Sequence, residues 1–218
     1  MDKNEAKAYI ARRVARELHD GDIVNLGIGL PTLVAEYVPA GVSIVLHSEN
    51  GMIGTRYVSA TEAEPYYVTD AGGSPAGVNT GGCYLDSATS FGLIRGGHVS
   101  ATVLGAMQVD ENGDMANWMV PGGKLTGMGG AMDLLANSKN VIVAMLHTDK
   151  GSPKIVRKCS LPLTAVHCVN TIVTEMCLIR VRPEGLVLCE YNPEYSLDEI
   201  KQATGAQLIM SPELKPMS

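Results

Sequence analysis

Residues 22–51 read DIVNLGIGLPTLVAEYVPAGVSIVLHSENG, and the order of patterns within them decides the fold. The runs DIVNLGIG (22–29) and GVSIVLHS (41–48) are short, apolar and rich in β-branched residues, as buried strands are. Between them PTLVAEYV places Pro31 at the first turn of a helix, where its missing N–H costs nothing. A strand, a helix and a strand this close together form a β-α-β unit. The same alternation extends outward. Upstream, residues 4–19 set Ile10, Val14 and Leu18 on one face with Lys7, Arg12, Arg13 and Arg16 interleaved, an amphipathic helix that should stop at Asp20-Gly21. Downstream come a helix at 86–95, a strand at 99–109, a helix near 130–137, a strand at 140–146 and a Pro-initiated helix near 162–176. CLIRVRPEGLVLCEY then reads as a β-hairpin turning at Pro183-Glu184-Gly185, and SLDEIKQAT as a last helix. The expected class is α/β, with an open, mostly parallel sheet, helices on both faces, and a C-terminal hairpin and helix.

A chain of 218 residues with 45% hydrophobic content and no compositional break is a length that one core can organise, so a single domain over 1–218 is expected. The longest uncharged apolar runs, such as VIVAML at 141–146, fall far short of a membrane span, and MDKNEAK does not resemble a signal peptide. A cytoplasmic protein with no membrane partner is the expectation. Five cysteines without a CxxC pair suit reduced, idle thiols better than disulfides or a zinc site. A net charge of −6 with no basic run beyond Arg12-Arg13 lacks the footprint of a nucleic-acid binder.

In a parallel sheet, ligands collect beyond the carboxyl ends of the strands. Three loops there have the right composition: Asn25 to Thr32, Ser48 to Gly51, and Gly127 to Asp133. The first, with Gly27 and Gly29 leaving a strand and Glu49 twenty positions on, evokes a dinucleotide-binding turn. Thr32 in the third glycine's place and Pro31 beside it argue against that, and a tight strand-to-helix turn explains the glycines as well. The third loop presents successive backbone N–H groups at a helix start, suited to an anion or to the oxyanion of acyl transfer, although a plain capping turn is an equal reading. Glu49 lies on a strand end with Asn50-Gly51 turning the chain behind it. A carboxylate is ionised at neutral pH without a partner base and can act as a covalent nucleophile.

The segments NLGIGLPT, SENG, SFGLIRGGH, LGAMQVDENG, ANWMVPG and GMGGAMDL, in this order and at these distances, resemble the B subunit of class I CoA-transferases of the 3-oxoacid type. The similarity runs from about Ala6 to Pro216 and is strongest to the clostridial butyrate–acetoacetate and acetate–acetoacetate enzymes. It implies the CoA-transferase or sugar-phosphate isomerase-like form of the α/β fold. It implies that Glu49 attacks an acyl-CoA thioester to form an acyl-glutamyl anhydride, then a glutamyl-CoA thioester that an incoming carboxylate takes over. Gly130, with Ala131 beside it, corresponds to the family's oxyanion-binding glycine, and Asn25 to the asparagine of its NLGIG motif. Asn50, Gly51, Gly27, Gly29 and Arg56 are further candidates for the substrate pocket. No metal or redox cofactor is implied; coenzyme A is a substrate. The family's A subunit is absent from this chain, which implies a separate partner in a heterodimer or A2B2 heterotetramer, with acyl-CoA and a short-chain carboxylate as substrates. A non-transferase relative, such as an acyl-CoA hydrolase, a sugar-phosphate isomerase-like enzyme or a ligand-sensing module, is the alternative, and a Rossmann-type oxidoreductase a third.

The chain departs from the family pattern after SENG, where Gly54-Thr55-Arg56-Tyr57 replaces a G-x-G-P stretch, and at 78–87, where Cys83-Tyr84-Leu85 stands in a loop that could line the acyl pocket. Arg56 could read a carboxylate or phosphate there, though a solvated loop arginine is the plainer reading. Lys124 is a candidate for a CoA phosphate. Strand alternation turns His47 away from Glu49 or into packing, so His47, His98 and His147 are expected to be structural, and Trp118, Met119 and Met128 to pack the core or an interface.

Overall fold

The computed structural model describes residues 1–58, 68–122 and 127–217. Helix α1 spans Lys3–Ala15, opened by a capping box in which Asp2 Oδ1 accepts from the Glu5 N–H at 2.9 Å and Glu5 returns the bond. It stops earlier than its apolar period predicts. Glu17 and Leu18 donate to the carbonyls three residues back, the tighter closure common at helix ends, and Leu18 still reaches the core at 4% exposure.

Strand β1 (Ile23–Leu26) leads into a 3-10 helix, Leu30–Tyr37, with Pro31 in its first turn, and the chain returns as β2 (Val45–Ser48), parallel to β1. Two strands not visible in the sequence pattern follow: β3 (Met52–Tyr57), antiparallel to β2, and β4 (Ala76–Tyr84), antiparallel to β3. After helix α2 (Ser87–Arg95), capped by Asp86 on the Thr89 N–H at 3.0 Å, the chain crosses to the other side of β1. There β5 (Ala101–Leu104), β6 (Val141–Ala144) and β7 (Thr171–Val173) extend the parallel centre, with helix α3 (Ala131–Asn137) before β6. The hairpin of β8 (Cys177–Arg182) and β9 (Gly185–Tyr191), helix α4 (Leu197–Ala203) and strand β10 (Leu208–Pro216) complete the order β10-β9-β8-β7-β6-β5-β1-β2-β3-β4. Five parallel central strands are thus flanked by antiparallel hairpins.

Alternate residues of the central strands feed two cores. Val141 and Val143 face one with Leu135 of α3 and Ile200 of α4; Ile142 and Ala144 face the other with Ile10 and Val14 of α1 and Val34 of the 3-10 helix. Helices therefore cover both faces, as expected for strands that are apolar throughout.

Two expected elements differ. The 99–109 strand breaks after Leu104, because Gly105–Met107 turns off and Gln108–Asp110 pairs instead with Met115–Ala116 and Ile155–Val156 in a small second sheet. The helix expected near 162–176 is absent. Its N–H groups go outward, Thr164 to Met115 O (2.7 Å), Cys168 and Val169 to Gly113 O (3.1 Å each), and Thr171–Val173 forms β7. The segment is dense in Val and Thr, whose branched Cβ favours the extended chain over the helix that a proline alone had signalled. No helix among the described residues is long and apolar enough to cross a membrane.

Candidate active site

Strand β1 has β2 on one side and, once the chain has returned through β3, β4 and α2, β5 on the other, so the strand order reverses at β1. That reversal opens a crevice beyond the carboxyl ends of β1, β2 and β5, the place where open α/β sheets bind ligands. A cavity of about 590 Å³ lies there, walled by residues 25–29 at the end of β1 and just beyond it, 46–49 at the end of β2, Leu104 and Gly105 where β5 ends, and residues 128–131 entering α3.

Glu49 is the first residue beyond β2. Behind it Gly51 has φ 131°, and a Cβ there would lie 2.3 Å from the Leu85 carbonyl oxygen, so only glycine turns the chain this sharply. The turn is pinned from the side: Ser48 Oγ donates to Asn50 Oδ1 (2.8 Å) and accepts from the Ala71 N–H (2.9 Å), while Asn50 Nδ2 donates to Thr69 O (2.7 Å). The half-buried Glu49 carboxylate accepts at Oε2 from Asn25 Nδ2 (3.1 Å), which also reaches His47 O (3.2 Å). Asn25, 2% exposed, thus holds the nucleophile candidate to the end of the neighbouring strand. Across the cavity Gly130, the cap of α3, comes so close that a Cβ on it would meet Glu49 Cγ at 3.1 Å, Glu49 Oε1 at 3.3 Å and Phe91 Cε1 at 3.3 Å. Gly27 also packs closely, since a Cβ on it would lie 2.7 Å from Leu104 Cδ2 and 3.2 Å from the Val103 carbonyl oxygen.

Asn25, Gly27, Gly29, Glu49, Gly130 and Ala131 all line the cavity. Asn50 and Gly51 do not; they build the turn that aims Glu49. Arg56 is not among the lining residues either, whereas Thr55 and Tyr57 on each side of it are, so strand alternation gives the cavity its neighbours. None of residues 78–87 lines it: the segment expected as a pocket loop is mostly strand β4, which pairs with β3. Lys124 lies outside the described residues. Thr55, Tyr57 and Asp70 join the cavity wall without any sequence signal of their own, because β3 and the loop before β4 carry no readable apolar period; Glu36 joins them from the 3-10 helix, and Phe91 of α2 stands beside Gly130.

His47 is 4% exposed, with Nε2 3.0 Å from Ser90 Oγ; burial lowers its pKa against the opposing charge of Glu49, leaving a neutral ring. His147, fully buried, lies between Thr174 Oγ1 and Thr204 Oγ1 at 2.9 Å each, and burial, aided by the charge of Lys154, brings its pKa down to about 4. Burial pushes the thiols of Cys159, Cys168 and Cys177 up to about 12, as idle thiols should be.

The model of the coenzyme A transferase family matches residues 7–203. The chain belongs to this family. It is 52% identical to the acetate CoA-transferase subunit beta of Haemophilus influenzae, over 97% of this chain and 95% of that one. Against the mitochondrial succinyl-CoA:3-ketoacid coenzyme A transferase 2A of Rattus norvegicus it is 46% identical over 99% of its length, but spans only 42% of the rat protein. Among solved structures, the acyl-CoA transferase YdiF of Escherichia coli O157:H7 superposes on 98% of this transferase chain and 43% of its own, with a TM-score of 0.79 at 23% identity, a likeness of fold. The family expected from SENG and GMGGAMDL is therefore the family found, and the oxidoreductase reading of Gly27-x-Gly29 falls away. The helix that follows those glycines is a 3-10 helix rather than the α-helix that a pyrophosphate site uses.

Proposed function

We infer that this chain is the B-type subunit of a CoA-transferase that moves coenzyme A between a short-chain acyl-CoA and a carboxylate such as acetoacetate, butyrate or acetate. The observation that carries the reading is the placement of Glu49: a carboxylate on a stiff strand end, held by Asn25, against Gly130, inside the crevice where the sheet reverses. Glu49 attacks the thioester carbonyl; the C–S bond breaks, CoA leaves as thiolate, and an acyl-glutamyl anhydride remains. The thiolate then attacks the glutamyl carbonyl of that anhydride, releasing the acyl carboxylate and leaving a glutamyl-CoA thioester. The acceptor carboxylate reverses both steps. No electrons or metal are required, and the charge that develops on each carbonyl oxygen is met at the Gly130 and Ala131 end of α3.

Water competes for both intermediates, which makes a rigid mount and a closed cleft necessary. The cavity here is open on one side, and the names of the bacterial relatives as beta subunits support a partner A subunit, encoded separately, that closes it. With that partner in place, Glu49→Ala should assemble normally and lose CoA exchange to trace levels, since the substitution removes the nucleophile and no core contact. Exchange retained well above trace would favour a non-covalent or non-transferase role for this site.

A further inference from the structure

The cavity that holds Glu49 has two more carboxylates in its wall, Glu36 and Asp70. The bonds from Ala71 to Ser48 and from Asn50 to Thr69 fasten the loop of Asp70 to the turn of Glu49. Asp70 is fixed in its own loop as well, its Oδ1 accepting from Gly72 N–H (2.8 Å) and Ser74 N–H (2.9 Å). Tyr57 reaches the same region. Burial first, then the charges of Asp70 and Glu36, push its pKa up, so its hydroxyl stays a neutral donor. Among the described lining residues there is no lysine or arginine to balance these charges. An independent observation points to a ligand: Thr55, 7% exposed, lines the cavity, and its buried Oγ1 finds no hydrogen-bond partner among the described residues. A buried hydroxyl left unpaired in a binding-site wall is costly unless something bound satisfies it.

We propose that the wall formed by Thr55, Tyr57, Glu36 and Asp70 selects the acyl group, admitting short acyl chains that are apolar or carry a neutral oxo oxygen and turning away dicarboxylic acyl groups such as succinyl. The inference rests on the reading of Glu49 as the acyl-accepting nucleophile. A second carboxylate on the substrate would enter a cavity already holding three, with no lysine or arginine among the described lining residues, whereas an oxo oxygen can accept from Thr55 and Tyr57.

The test uses the complete complex with its A subunit and compares kcat/KM for acetyl-CoA and succinyl-CoA, with acetoacetate as acceptor. Succinyl-CoA should be the poorer donor by about tenfold or more, and raising the ionic strength should narrow the gap as the like charges are screened. Glu36→Gln with Asp70→Asn keeps size and the Asp70 turn acceptor, and should raise the succinyl-to-acetyl ratio by about tenfold. Thr55→Val should lower the use of acetoacetate relative to butyrate by about fivefold, the worth of one hydrogen bond. Equal use of the two donors by the unmodified complex, or a ratio unmoved by both salt and the double substitution, would overturn the proposal. The mass of the Glu49 peptide separates the two levels. Modification of Glu49 by acetyl-CoA, read as its CoA thioester after trapping with borohydride or hydroxylamine, with an unmoved ratio defeats the selectivity alone, while no modification from any acyl-CoA defeats the reading of the site and the selectivity with it.

Discussion

Gly130→Ala isolates the contact between α3 and Glu49. Gly130 has φ −80° and ψ 2°, which alanine adopts freely, so the backbone gives no reason for glycine. The reason is the added methyl. It would sit 3.1 Å from Glu49 Cγ, 3.3 Å from Glu49 Oε1 and 3.3 Å from Phe91 Cε1, each a few tenths of an ångström inside ordinary contact. Overpacking costs about 1–3 kcal/mol where neighbours cannot move. Here the atoms met are side-chain atoms of half-buried residues, so the stability loss should sit near the bottom of that range, about 1 kcal/mol. The displaced group is the nucleophile, and a shift approaching 1 Å at reacting atoms costs up to about 100-fold in rate. CoA exchange by the complex should therefore fall by roughly 10- to 100-fold while its urea midpoint moves little. Gly92→Ala is the control: an exposed glycine within α2 whose Cβ meets nothing within 4 Å, it should gain about 0.5–1 kcal/mol and keep full activity. Unchanged exchange in Gly130→Ala would refute the reasoning, because Glu49 would then not need its present place.

Asn25→Ala removes the bond to the Glu49 carboxylate; a hydrogen bond to a charged group contributes about 1.5–3 kcal/mol, so kcat should drop by roughly 10- to 100-fold with KM little changed, as read from steady-state kinetics. Stability should depend on pH through His147. Its folded pKa of about 4 lies below the unfolded value near 6.5, so the unfolded chain binds the extra proton first. The stabilisation is complete above pH 6.5, falls as pH drops toward 4, and amounts to about 3 kcal/mol in all; urea unfolding of the wild type should show this added acid loss relative to His147→Gln. Arg13, 8% exposed, joins Glu190 in two bonds (2.6 and 2.8 Å) and Glu17 at 2.8 Å, tying α1 to β9. Burial opposes the charge of Glu190, yet Arg13 outweighs it and holds that carboxyl below its ordinary range. Arg13→Ala leaves Glu190 only Lys215, at 3.7 Å, while Glu17 keeps Arg180 at 2.6 Å, and should cost about 3 kcal/mol in urea unfolding, the lower end for a broken buried pair.

The central sheet was legible because strands buried on both faces are apolar throughout, as at 141–144, and the helices because caps such as Asp86 and Ser196 sit beside clear periods. Strands β3 and β4 were not. MIGTRY and AGVNTGGCY hold glycines where a strand pattern needs side chains, and their pairing is irregular at Ile53/Thr55. β10 escaped for a related reason, since Pro212 and Pro216 are tolerated there only because the strand lies at the sheet edge. The site divided along the same line. Glu49, Asn25 and Gly130 stand at ends of readable elements, whereas Tyr57 and Asp70 come from the unreadable hairpin region. Arg56 drew attention as a charge in a loop; its place in a strand makes its neighbours the residues that face the cavity.

The most direct test of the account is the mass of the peptide carrying Glu49 after the complex with its A subunit is incubated with acyl-CoA and trapped with borohydride or hydroxylamine. Covalent transfer predicts a modification at Glu49 alone, formed before any acceptor is added and discharged when acetoacetate follows. A modification at another residue, or turnover with Glu49 never modified, would contradict it.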